Sequence, residues 1–379
     1  MAFRVGPGEP VCDMGRIRPK ARWLPLTVIE RALRAIRENR LDTKAKIGIV
    51  VIGRNEAARL GRALDSACAV PAACVLYVDS GSSDASVEIA RSLGVEVLQL
   101  DERQPLSAAR ARKEGADHLM QANPDIEYLQ FLDGDSSLAP GWVAKGIEFL
   151  RETPQAALVC GKLTERDPEG SVYNRLAALQ WDTPAGEISQ SGGIFLVRRV
   201  AYAEIGGFNP VLRTGEEREL CARLRAAGHR LFRLDHSMAE HDLGFYSFRQ
   251  WWTRRVWGGY GYAIEREERG SQAGTRRLKG VLSLLCWGAL LPGLVIVGLG
   301  ASLFTPWALI LPLGGLCLYL LFIARIALRQ LRDGYGFKDA ALYGLFCALQ
   351  KIAVAQGFIS RKLGRRDGPD AHTASGATR

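Results

Sequence analysis

The chain has 379 residues, of which 50 are lysine or arginine and 40 are aspartate or glutamate, so its formal net charge is +10. This length allows one large domain or two, and the positive charge favours an anionic partner such as phosphate groups or a lipid surface. Nucleic acid is disfavoured, because the basic residues cluster at the N-terminus and around the apolar C-terminal third, without a nucleic-acid-binding motif.

The eight cysteines are dispersed, and none of them lies in a C-x-x-C pair. This dispersal predicts small buried hydrophobic residues in a reducing compartment, and neither a zinc site nor a disulfide framework. The N-terminus lacks an apolar run before its first basic cluster, which argues against a secretory signal. Residues 1–45 are basic with an apolar stripe, which predicts either a helix on a bilayer surface or a helix packed on the following domain.

From residue 46 the chain alternates between short apolar runs and helical patterns. The first run, KIGIVVI, is rich in β-branched residues and is typical of a strand buried in a parallel sheet. Strands are predicted at 46–52, 74–78, 95–98 and 127–132, and helices at 57–69, 85–93 and 106–120. This order predicts an α/β domain over 46–265 with a doubly wound, mostly parallel sheet.

Acidic residues follow two of the predicted strands, at the edge where open α/β sheets bind ligands. The run EYLQFLDGD ends in Asp133 and Asp135, separated by Gly134, which permits a tight turn. Neighbouring carboxylates repel each other unless a cation lies between them, and oxygen ligands suit Mg²⁺ or Mn²⁺. The alternative is an ordinary polar turn after a strand. Asp79, after the second strand, is suited to accept hydrogen bonds from an imide or a ribose hydroxyl, or to cap the next helix.

Three segments in this order, KIGIVVIGRNEAARLGRALDSA, VLYVDSGSSDASVEIA and LQFLDGDSSLAPGW, resemble the catalytic domain of family 2 glycosyltransferases, which has the GT-A fold. The resemblance implies that Asp79 reads the nucleobase of a nucleotide sugar, and that Arg54 and Glu56 lie under the nucleoside. It also implies that Asp133 and Asp135 bind a divalent metal and the diphosphate of the donor.

The resemblance extends over 46–262, more than half of the chain. It implies a nucleotide-facing position for Arg112, with Lys113 where the family usually has asparagine. The later segment SGGIFLVRRVAYAEIGGFNP resembles the part of the family that lines the acceptor. Gly193 in this segment is therefore expected to let the backbone approach the sugar closely.

A pair of glutamates stands where the family has its catalytic base. The helix that usually begins E-D-x-E-L, with the aspartate as base, begins here with Glu216 and Glu217. The resemblance implies Glu217 as the base, with Glu216 as its competitor. The alternative is that both acids only stabilise the helix, because they lie at the positive end of its dipole. A carboxylate base on one face of the sugar and a cation at the leaving diphosphate are the two requirements of an inverting transfer.

A histidine follows the predicted strand LFRLDHSMAEH. Some GT-A enzymes have a histidine near this position, so the resemblance implies that His241 is a third ligand of the metal or of the diphosphate. His236 is the alternative candidate in the same region. An exposed or helix-capping histidine is the other interpretation.

The segment RQWWTRRVWGGYGYA combines aromatic and basic residues just before the apolar C-terminal third. Trp251 and Trp252 are suited to stacking on sugars, and Arg254 and Arg255 to clamping phosphate. The segment resembles the Q-x-x-R-W motif of processive polysaccharide synthases, but its spacing differs. Anchors at a membrane interface are the alternative interpretation.

No charged residue occurs at 280–324, a run longer than the ~20 residues of one membrane span. Two transmembrane helices are predicted within 278–330, at 279–299 and 306–328, with a turn at 300–302. Because the positive residues flank the outer ends of the pair, both ends and the preceding domain are expected in the cytoplasm.

The end of the chain is amphipathic and basic. Residues 337–366 predict a helix at the membrane interface, with a third span as the alternative, and 367–379 predict a disordered tail. Together with the resemblance, these patterns predict a bacterial, multi-pass protein of the inner membrane whose catalytic domain faces the cytoplasm.

The function expected from the sequence is the inverting, metal-dependent transfer of a sugar from a nucleotide sugar to a lipid or polyprenyl-linked acceptor. The donor is expected to be a UDP-sugar before a GDP-sugar, with Mg²⁺ or Mn²⁺, in envelope glycolipid or polysaccharide biosynthesis. The alternatives are a processive polysaccharide synthase and a non-catalytic nucleotide-sugar-binding subunit of an envelope complex. A transporter is disfavoured, because the predicted spans have no charged residue to line a path.

Overall fold

The computed structural model describes residues 46–181, 183–269 and 275–364. The basic segment 1–45 and the predicted tail 367–379 lie outside the described residues. Nine strands within the described ranges form one sheet. The strands are β1 Lys46–Gly53, β2 Ala73–Asp79, β3 Glu96–Gln99, β4 Ile126–Asp133, β5 Ser136–Leu138, β6 Ala156–Glu165, β7 Gly186–Glu187, β8 Phe195–Arg198 and β9 Arg230–His241.

The helices of the same ranges separate the strands and then continue alone towards the C-terminus. Those of the sheet domain are α1 Ala57–Cys68, α2 Ser86–Ser92, α3 Ala108–Ala122, α4 Trp142–Glu152, α5 Val172–Trp181, α6 Arg199–Glu204 and α7 Glu216–Ala226. The later helices are α8 Phe248–Arg269, α9 Thr275–Leu285, α10 Leu291–Ser302, α11 Ile310–Arg332 and α12 Phe337–Lys362.

The sheet has the strand order β3-β2-β1-β4-β8-β6-β9-β5, with β7 paired to β9. The first four strands pair in parallel, as do β6 and β9, whereas β8 pairs antiparallel to β4 and β6. In β1, the consecutive residues Ile49, Val50 and Val51 are fully buried, so both faces of this strand are covered. The predicted α/β class with a mostly parallel sheet is confirmed.

Parallel pairing brings the acidic strand ends together. In the β1 register, Gly53 lies beside Asp79 of β2, and Ile52 lies beside Asp133 of β4. Both carboxylates therefore lie at the carboxyl edge of the sheet, on either side of the end of β1. This is the edge at which open α/β sheets bind ligands.

The strands of the second half were largely absent from the sequence prediction. β9 coincides with the strand predicted at 231–241. The strands that were not predicted include β5, β7 and β8, which have three, two and four residues. Apolar periodicity needs more residues than β5, β7 and β8 provide, whereas β6 has ten residues and was missed although it begins with an apolar run. The antiparallel β8 joins the two halves of the sheet, so the two parallel parts are continuous through it.

Three C-terminal helical segments are long and apolar enough to cross a membrane by length and composition: Gly280–Ser302, Pro306–Arg332 and Phe337–Lys362. Their mean hydropathies are 2.2, 2.2 and 1.4. The turn predicted at 300–302 is displaced, because α10 continues through Ser302 and the connection follows it before a 3₁₀ turn, Pro306–Leu309. At the end of α10, the Ser302 hydroxyl is satisfied by donating to the carbonyl oxygen of Leu299, at 2.7 Å.

Helix α12 packs against both the preceding apolar helix α11 and the sheet domain's last helix, α8. A Cβ at Gly259 of α8 would overlap the carbonyl oxygen of Val354, and one at Gly357 of α12 would overlap that of Val256. At the start of α12, Asp339 accepts two hydrogen bonds from Arg175 of α5, at 2.7 and 3.2 Å. The apolar C-terminal helices are thus connected to the sheet domain through α12.

The cysteines are less uniformly buried than the sequence predicted. Cys160 and Cys221 are buried, whereas Cys68, Cys286 and Cys317 are exposed. The last two belong to the apolar C-terminal helical region, where a thiol serves as a small hydrophobic side chain.

We expect Gly259→Ala to destabilise the protein by roughly 1–3 kcal/mol, because its new methyl group has no space between two helix backbones. Gly258→Ala is the matched control, since nothing lies within 4 Å of a Cβ at that position. Helix propensity predicts that this neighbour is stabilised by up to about 1 kcal/mol. Thermal unfolding of the purified proteins in detergent measures both; equal stability of the two variants would contradict the close α8–α12 contact.

Candidate active site

The loop after β2 is ordered around Asp79. This carboxylate is buried and accepts hydrogen bonds from the amides of Gly81 and Ser82, at 3.1 and 3.0 Å. It also accepts hydrogen bonds from the hydroxyls of Tyr77 and Ser82. Burial and the neighbouring Asp79 raise the pKa of Tyr77, which keeps that phenol neutral and able to donate. Asp79 thus fixes the shape of the loop, and its contact with a nucleobase stays a prediction.

The loop after β1 is joined to the β2 loop through Asn55, which has φ +58°. The Asn55 amide donates to the Ser82 hydroxyl at 2.9 Å, and the Asn55 side chain accepts from the Ser83 amide at 2.8 Å. Arg54, beside it, is exposed and lines a cavity of about 570 Å³. The two predicted nucleoside-binding loops therefore form one connected rim of the site.

The turn after β4 is made tight by Gly134. Its amide donates to the carbonyl oxygen of Ile52 at 2.8 Å, and a Cβ at this position would lie 3.2 Å from the same oxygen. The side chains of Asp133 and Asp135, on either side of this turn, point in different directions and contact different partners. Asp133 contacts a buried arginine, whereas Asp135 contacts a histidine.

Arg112 connects Asp133 to the acidic pair at the start of α7. Helix α3 begins after Ser107, whose hydroxyl caps it and so sets the position of Arg112 on the second turn. The guanidinium is buried and lies 2.8 Å from Asp133, 2.9 Å from Glu216 and 3.3 Å from Glu217. Burial opposes its charge, but the three carboxylates outweigh burial and raise the pKa of Arg112. Arg112 therefore points into the acidic cluster, and no nucleotide contact is needed to explain its position.

Gly193 makes room for this ion cluster. A Cβ at Gly193 would overlap the guanidinium of Arg112 and would lie 3.0 Å from a carboxylate oxygen of Asp133. The ring of Phe208 covers another side of the guanidinium, at 5.7 Å. The sequence predicted close approach of backbone and sugar at Gly193, and the structure shows close approach to a side chain there.

The two glutamates at the start of α7 are not equivalent. Gly215 precedes them with φ +72°, a left-handed conformation that glycine adopts without strain. Glu216 is buried with 9% of its side chain exposed, whereas 22% of the Glu217 side chain is exposed. Burial raises the pKa of Glu217; Arg112 opposes this rise, and Glu216 adds to it. Glu217 is thus the more accessible of an arginine-bound pair, and its pKa is raised.

A second group of polar residues surrounds Asp135. Its carboxylate lies 3.3 Å from Nε2 of His241, where β9 and β5 pair. Burial disfavours the Asp135 anion, but His241 and then Arg59 outweigh burial and lower its pKa to about 2. Burial lowers the pKa of His241, but Asp135 outweighs it, and the net pKa is raised. Burial and Asp135 raise the pKa of Glu56 to about 7, although Arg59 opposes them.

The Asp135–His241 pair fits a divalent cation. Neighbouring ligands of an octahedral ion at about 2.0–2.1 Å are about 3 Å apart, close to the observed 3.3 Å. The buried Nδ1 of His241 has no hydrogen-bond partner among the described residues, so the contact between Nε2 and Asp135 is the polar contact that orients the ring. Within the described ranges, no group of three or more His, Cys, Asp or Glu side chains is arranged to hold a metal ion. Two protein ligands leave the other positions of an ion for phosphate and water oxygens.

In α8, the arginines and the tryptophans of the aromatic and basic segment have different environments. Arg254 and Arg255 line a cavity of about 950 Å³ that also reaches Asp135 and His241. Trp251 is buried under Arg255, with 5.7 Å between the guanidinium carbon and the ring centre. Trp252 donates to Gln356 of α12 at 3.0 Å. Neither tryptophan is among the residues that line this cavity, so their observed role is packing of α8.

Two further residues of the site were not predicted from the sequence. Arg59, one helical turn after Glu56, forms an ion pair with it and donates to the carbonyl oxygen of Asp242 at 3.0 Å. Gln350 of α12 lines the 950 Å³ cavity although it is more than 200 residues away from Asp135 in sequence. The spacing of Arg59 after Glu56 was a usable signal, whereas nothing in the sequence marks Gln350.

Two family models match the chain. The model described as glycosyl transferase family 2 matches 48–207, and the one described as glycosyl transferase family group 2 matches 128–324, more than half of the residues. The chain belongs to the family 2 glycosyltransferases. The matched ranges include both carboxylate groups of the sheet edge and continue into the apolar helices.

The comparison with curated proteins found no match. Similar solved structures include TarS of S. aureus, with 15% identity and TM-score 0.41 over 57% of this chain and 39% of TarS. The mannosyltransferase PcManGT of Pyrobaculum calidifontis, solved with GDP-Man and Mn²⁺, has 16% identity and TM-score 0.48 over 90% of this chain and 95% of its own.

A third similar structure is glucosyl-3-phosphoglycerate synthase of Mycobacterium tuberculosis, solved with Mn²⁺, UDP and glucosyl-3-phosphoglycerate. It has 20% identity and TM-score 0.36 over 52% of this chain and 72% of its own. The chain thus spans well under half the length of TarS and almost all of PcManGT.

We expect Arg112→Gln to lower the free energy of unfolding by about 3–5 kcal/mol near neutral pH, because three carboxylates lose their shared buried cation. The loss should shrink as the pH falls towards about 5, since protonated carboxyl groups no longer repel one another. Urea unfolding at both pH values in detergent measures the difference.

Lys113→Gln is the matched control on the same helix. Lys113 pairs with Asp117, and both side chains are partly exposed, so the loss should stay below about 1 kcal/mol at either pH. A loss for Arg112→Gln no greater than that of the control, or one that does not change with pH, would contradict the role of Arg112 in the acidic cluster.

Proposed function

We propose that this family 2 enzyme is an inverting, metal-dependent glycosyltransferase that transfers a sugar from a nucleotide sugar to a lipid or lipid-linked acceptor. The observation that carries the proposal is the division of the carboxylates into two groups at one sheet edge. One group, around Arg112, includes an accessible glutamate, and the other pairs Asp135 with His241. An inverting transfer requires a base on one side of the sugar and a cation at the leaving group on the other.

In this mechanism Glu217 is the base that takes the proton of the acceptor hydroxyl. Arg112 holds its carboxylate at 3.3 Å and holds Glu216 more closely, at 2.9 Å, so Glu216 serves to position its neighbour. Burial of Glu217 raises its pKa, which makes it a stronger base than an exposed glutamate while it is ionised. The glutamate in place of the family's aspartate is one methylene longer, and the contact with Arg112 limits the movement of that longer side chain.

Asp135 and His241 are proposed to hold Mg²⁺ or Mn²⁺. A divalent ion there would supply positive charge to the leaving diphosphate. Asp133 is bound to Arg112 at 2.8 Å, so we assign it mainly to holding Arg112 and the turn at Gly134. Glu56, beside Asp135 and paired with Arg59, is proposed to border the diphosphate.

The nucleoside is proposed to lie on the rim formed by the β1 and β2 loops, near Asp79 and Arg54. The two loops are joined by Asn55, so their shape is fixed before a ligand binds. A uridine nucleotide is favoured over a guanosine nucleotide by its frequency in the resembling family. The mannosyltransferase PcManGT was solved with GDP-Man, so GDP-sugars are tested together with UDP-sugars.

The membrane arrangement follows from the apolar helices and their charges. Segments Gly280–Ser302 and Pro306–Arg332 are proposed to span the inner membrane, with the sheet domain over 46–265 on the cytoplasmic side. Helix α12 is proposed to lie at the interface, because it contacts α8 of the sheet domain and is less apolar than the two spans. A bacterial envelope glycolipid or polysaccharide precursor is the acceptor that suits this position.

A donor panel tests the proposal. Full-length protein in detergent is incubated with Mn²⁺ and UDP- or GDP-sugars, with and without a membrane lipid extract, and nucleotide release is followed. We expect release from one donor that depends on the extract. Nucleotide binding without release from any donor would instead support a non-catalytic nucleotide-sugar-binding subunit, and a long polymer product would support a processive synthase.

We expect Glu217→Gln to lower the rate of transfer by about 10²–10⁴-fold with little change in nucleotide binding, because the acceptor loses its base. Glu219→Gln is the matched control in the same helical turn. Glu219 pairs with Arg223, at 2.6 Å, and not with Arg112. The transfer rate of the Glu219→Gln variant should therefore stay near that of the wild type. A full loss in Glu216→Gln together with an active Glu217→Gln would reverse the assignment within the pair.

The pH dependence of kcat/KM should report the same base. Glu217 accepts a proton only when ionised, so activity is lost as the pH falls through its raised pKa, and the acid limb lies above the ordinary glutamate value of 4.5. The limb should persist in Glu56→Gln, which removes the other glutamate of the site with a raised pKa. An acid limb at or below 4.5 would argue against a buried glutamate base.

A further inference from the structure

The cavity of about 950 Å³ joins the candidate active site to the C-terminal helices. One side of it carries Glu56, Asp135 and His241 from the sheet edge, and the other carries Arg254, Arg255 and Gln350 from α8 and α12. Arg213, from the segment before α7, also lines it. A ligand in this cavity therefore contacts the sheet edge and the helices that lead towards the membrane at the same time.

The α8 side of the cavity carries several arginines. Among the described residues, Arg213, Arg254 and Arg255 form no ion pair with a carboxylate, whereas Arg59 is paired with Glu56. Arg255 is half-buried, and its side-chain polar contact is a hydrogen bond to the amide oxygen of Gln180, at 3.2 Å.

The guanidinium of Arg255 is not fully satisfied by these neighbours. Within the described part of the chain, its buried Nε has no hydrogen-bond partner, and neither has the indole nitrogen of Trp257, which also lines the cavity. Burial and the adjacent Arg254 lower the pKa of Arg255. A buried cation without a counter-charge is costly, so an anion at this position is stabilising. Guanidinium groups are well matched to phosphate oxygens.

The same cavity continues towards apolar surface. Val354 and Tyr262 line it, and each packs against the small hydrophobic cluster formed by Ala263, Val281, Leu284, Ala355 and Phe358. Val281 and Leu284 lie on α9, which continues through a π-helical turn into α10. Polar, cationic and apolar surfaces thus follow one another from the sheet edge to the C-terminal helices.

We propose that this cavity binds the phosphate group of a lipid acceptor, with Arg254, Arg255 and Arg213 as its anion-binding residues and the lipid chain directed along α8, α9 and α12. The inference rests on the proposed function and names the chemical class of the acceptor: a lipid that carries a phosphate group. The diphosphate of the donor has the same chemistry and is the other source of phosphate at this site.

The test uses full-length protein in nanodiscs and isothermal titration with geranyl phosphate, geraniol, and UDP with Mn²⁺. Geraniol has the same chain as geranyl phosphate without the charge. The variants are Arg254→Gln, Arg255→Gln and Arg255→Lys, and Arg249→Gln is the control, an exposed arginine on the same helix. Arg255→Lys keeps the charge of the half-buried position if Arg255→Gln fails to fold.

We expect geranyl phosphate to bind at least about tenfold more tightly than geraniol, since one charged hydrogen bond accounts for about that ratio. The Arg254→Gln and Arg255→Gln variants should lose about tenfold in affinity for geranyl phosphate and keep their affinity for UDP with Mn²⁺. Arg255→Lys should lose less than Arg255→Gln, and Arg249→Gln should bind as the wild type does.

Two results would overturn the inference while leaving the proposed function intact. One is a protein that binds UDP but binds geranyl phosphate and geraniol with equal affinity, or binds neither of these two compounds. The other is a loss of UDP affinity in the arginine variants with unchanged binding of geranyl phosphate, which would assign the arginines to the donor diphosphate. Binding of geranyl phosphate by a protein that binds no nucleotide would support the phosphate site and contradict the proposed transferase mechanism.

Discussion

A single buried guanidinium, that of Arg112, holds the candidate active site together. It contacts one carboxylate at the end of β4 and two at the start of α7, elements that are separated by more than 80 residues in sequence. Without this cation the three carboxylates would repel one another in a poorly solvated position. The absence of a side chain at Gly193 and the ring of Phe208 give the guanidinium its place.

This arrangement separates the acidic residues of one sheet edge into two groups with different chemistry. Around Arg112 the carboxylates share an internal positive charge, and Glu217 is the more exposed of the two glutamates. Around Asp135 the positive partner is a histidine, a side chain that also binds metal ions. The Gly134 turn makes this separation possible, because it sends two carboxylates that are two residues apart towards different partners.

The first half of the sheet and its acidic edge were predictable from the sequence. Strands such as β1 are long, apolar and β-branched, and parallel pairing necessarily brings the ends that carry Asp79 and Asp133 to one edge. The short antiparallel strand β8 was not predictable, since four residues do not establish a period. The contacts of Arg112 were also beyond the sequence, because no local pattern indicates a partner 104 residues away. Which of Glu216 and Glu217 is accessible depends on those same contacts.

The C-terminal helices, too, were predictable from the sequence only in part. Their apolar character is evident from composition, whereas the attachment of α12 to α8 depends on two glycines whose neighbours are distant in sequence. This attachment places Gln350 beside the cavity that reaches Asp135. The apolar C-terminal part of the chain therefore contributes to the environment of the candidate active site.

The separation of the two groups is tested most directly by pulsed electron paramagnetic resonance of Mn²⁺ bound with UDP to the full-length protein. Direct coordination by His241 predicts a nitrogen coupling that changes on labelling with ¹⁵N-histidine, is lost in His241→Ala and is retained in His236→Ala. A bound Mn²⁺ without nitrogen coupling in the wild type, or with a coupling that survives in His241→Ala, would contradict the assignment of the cation to Asp135 and His241.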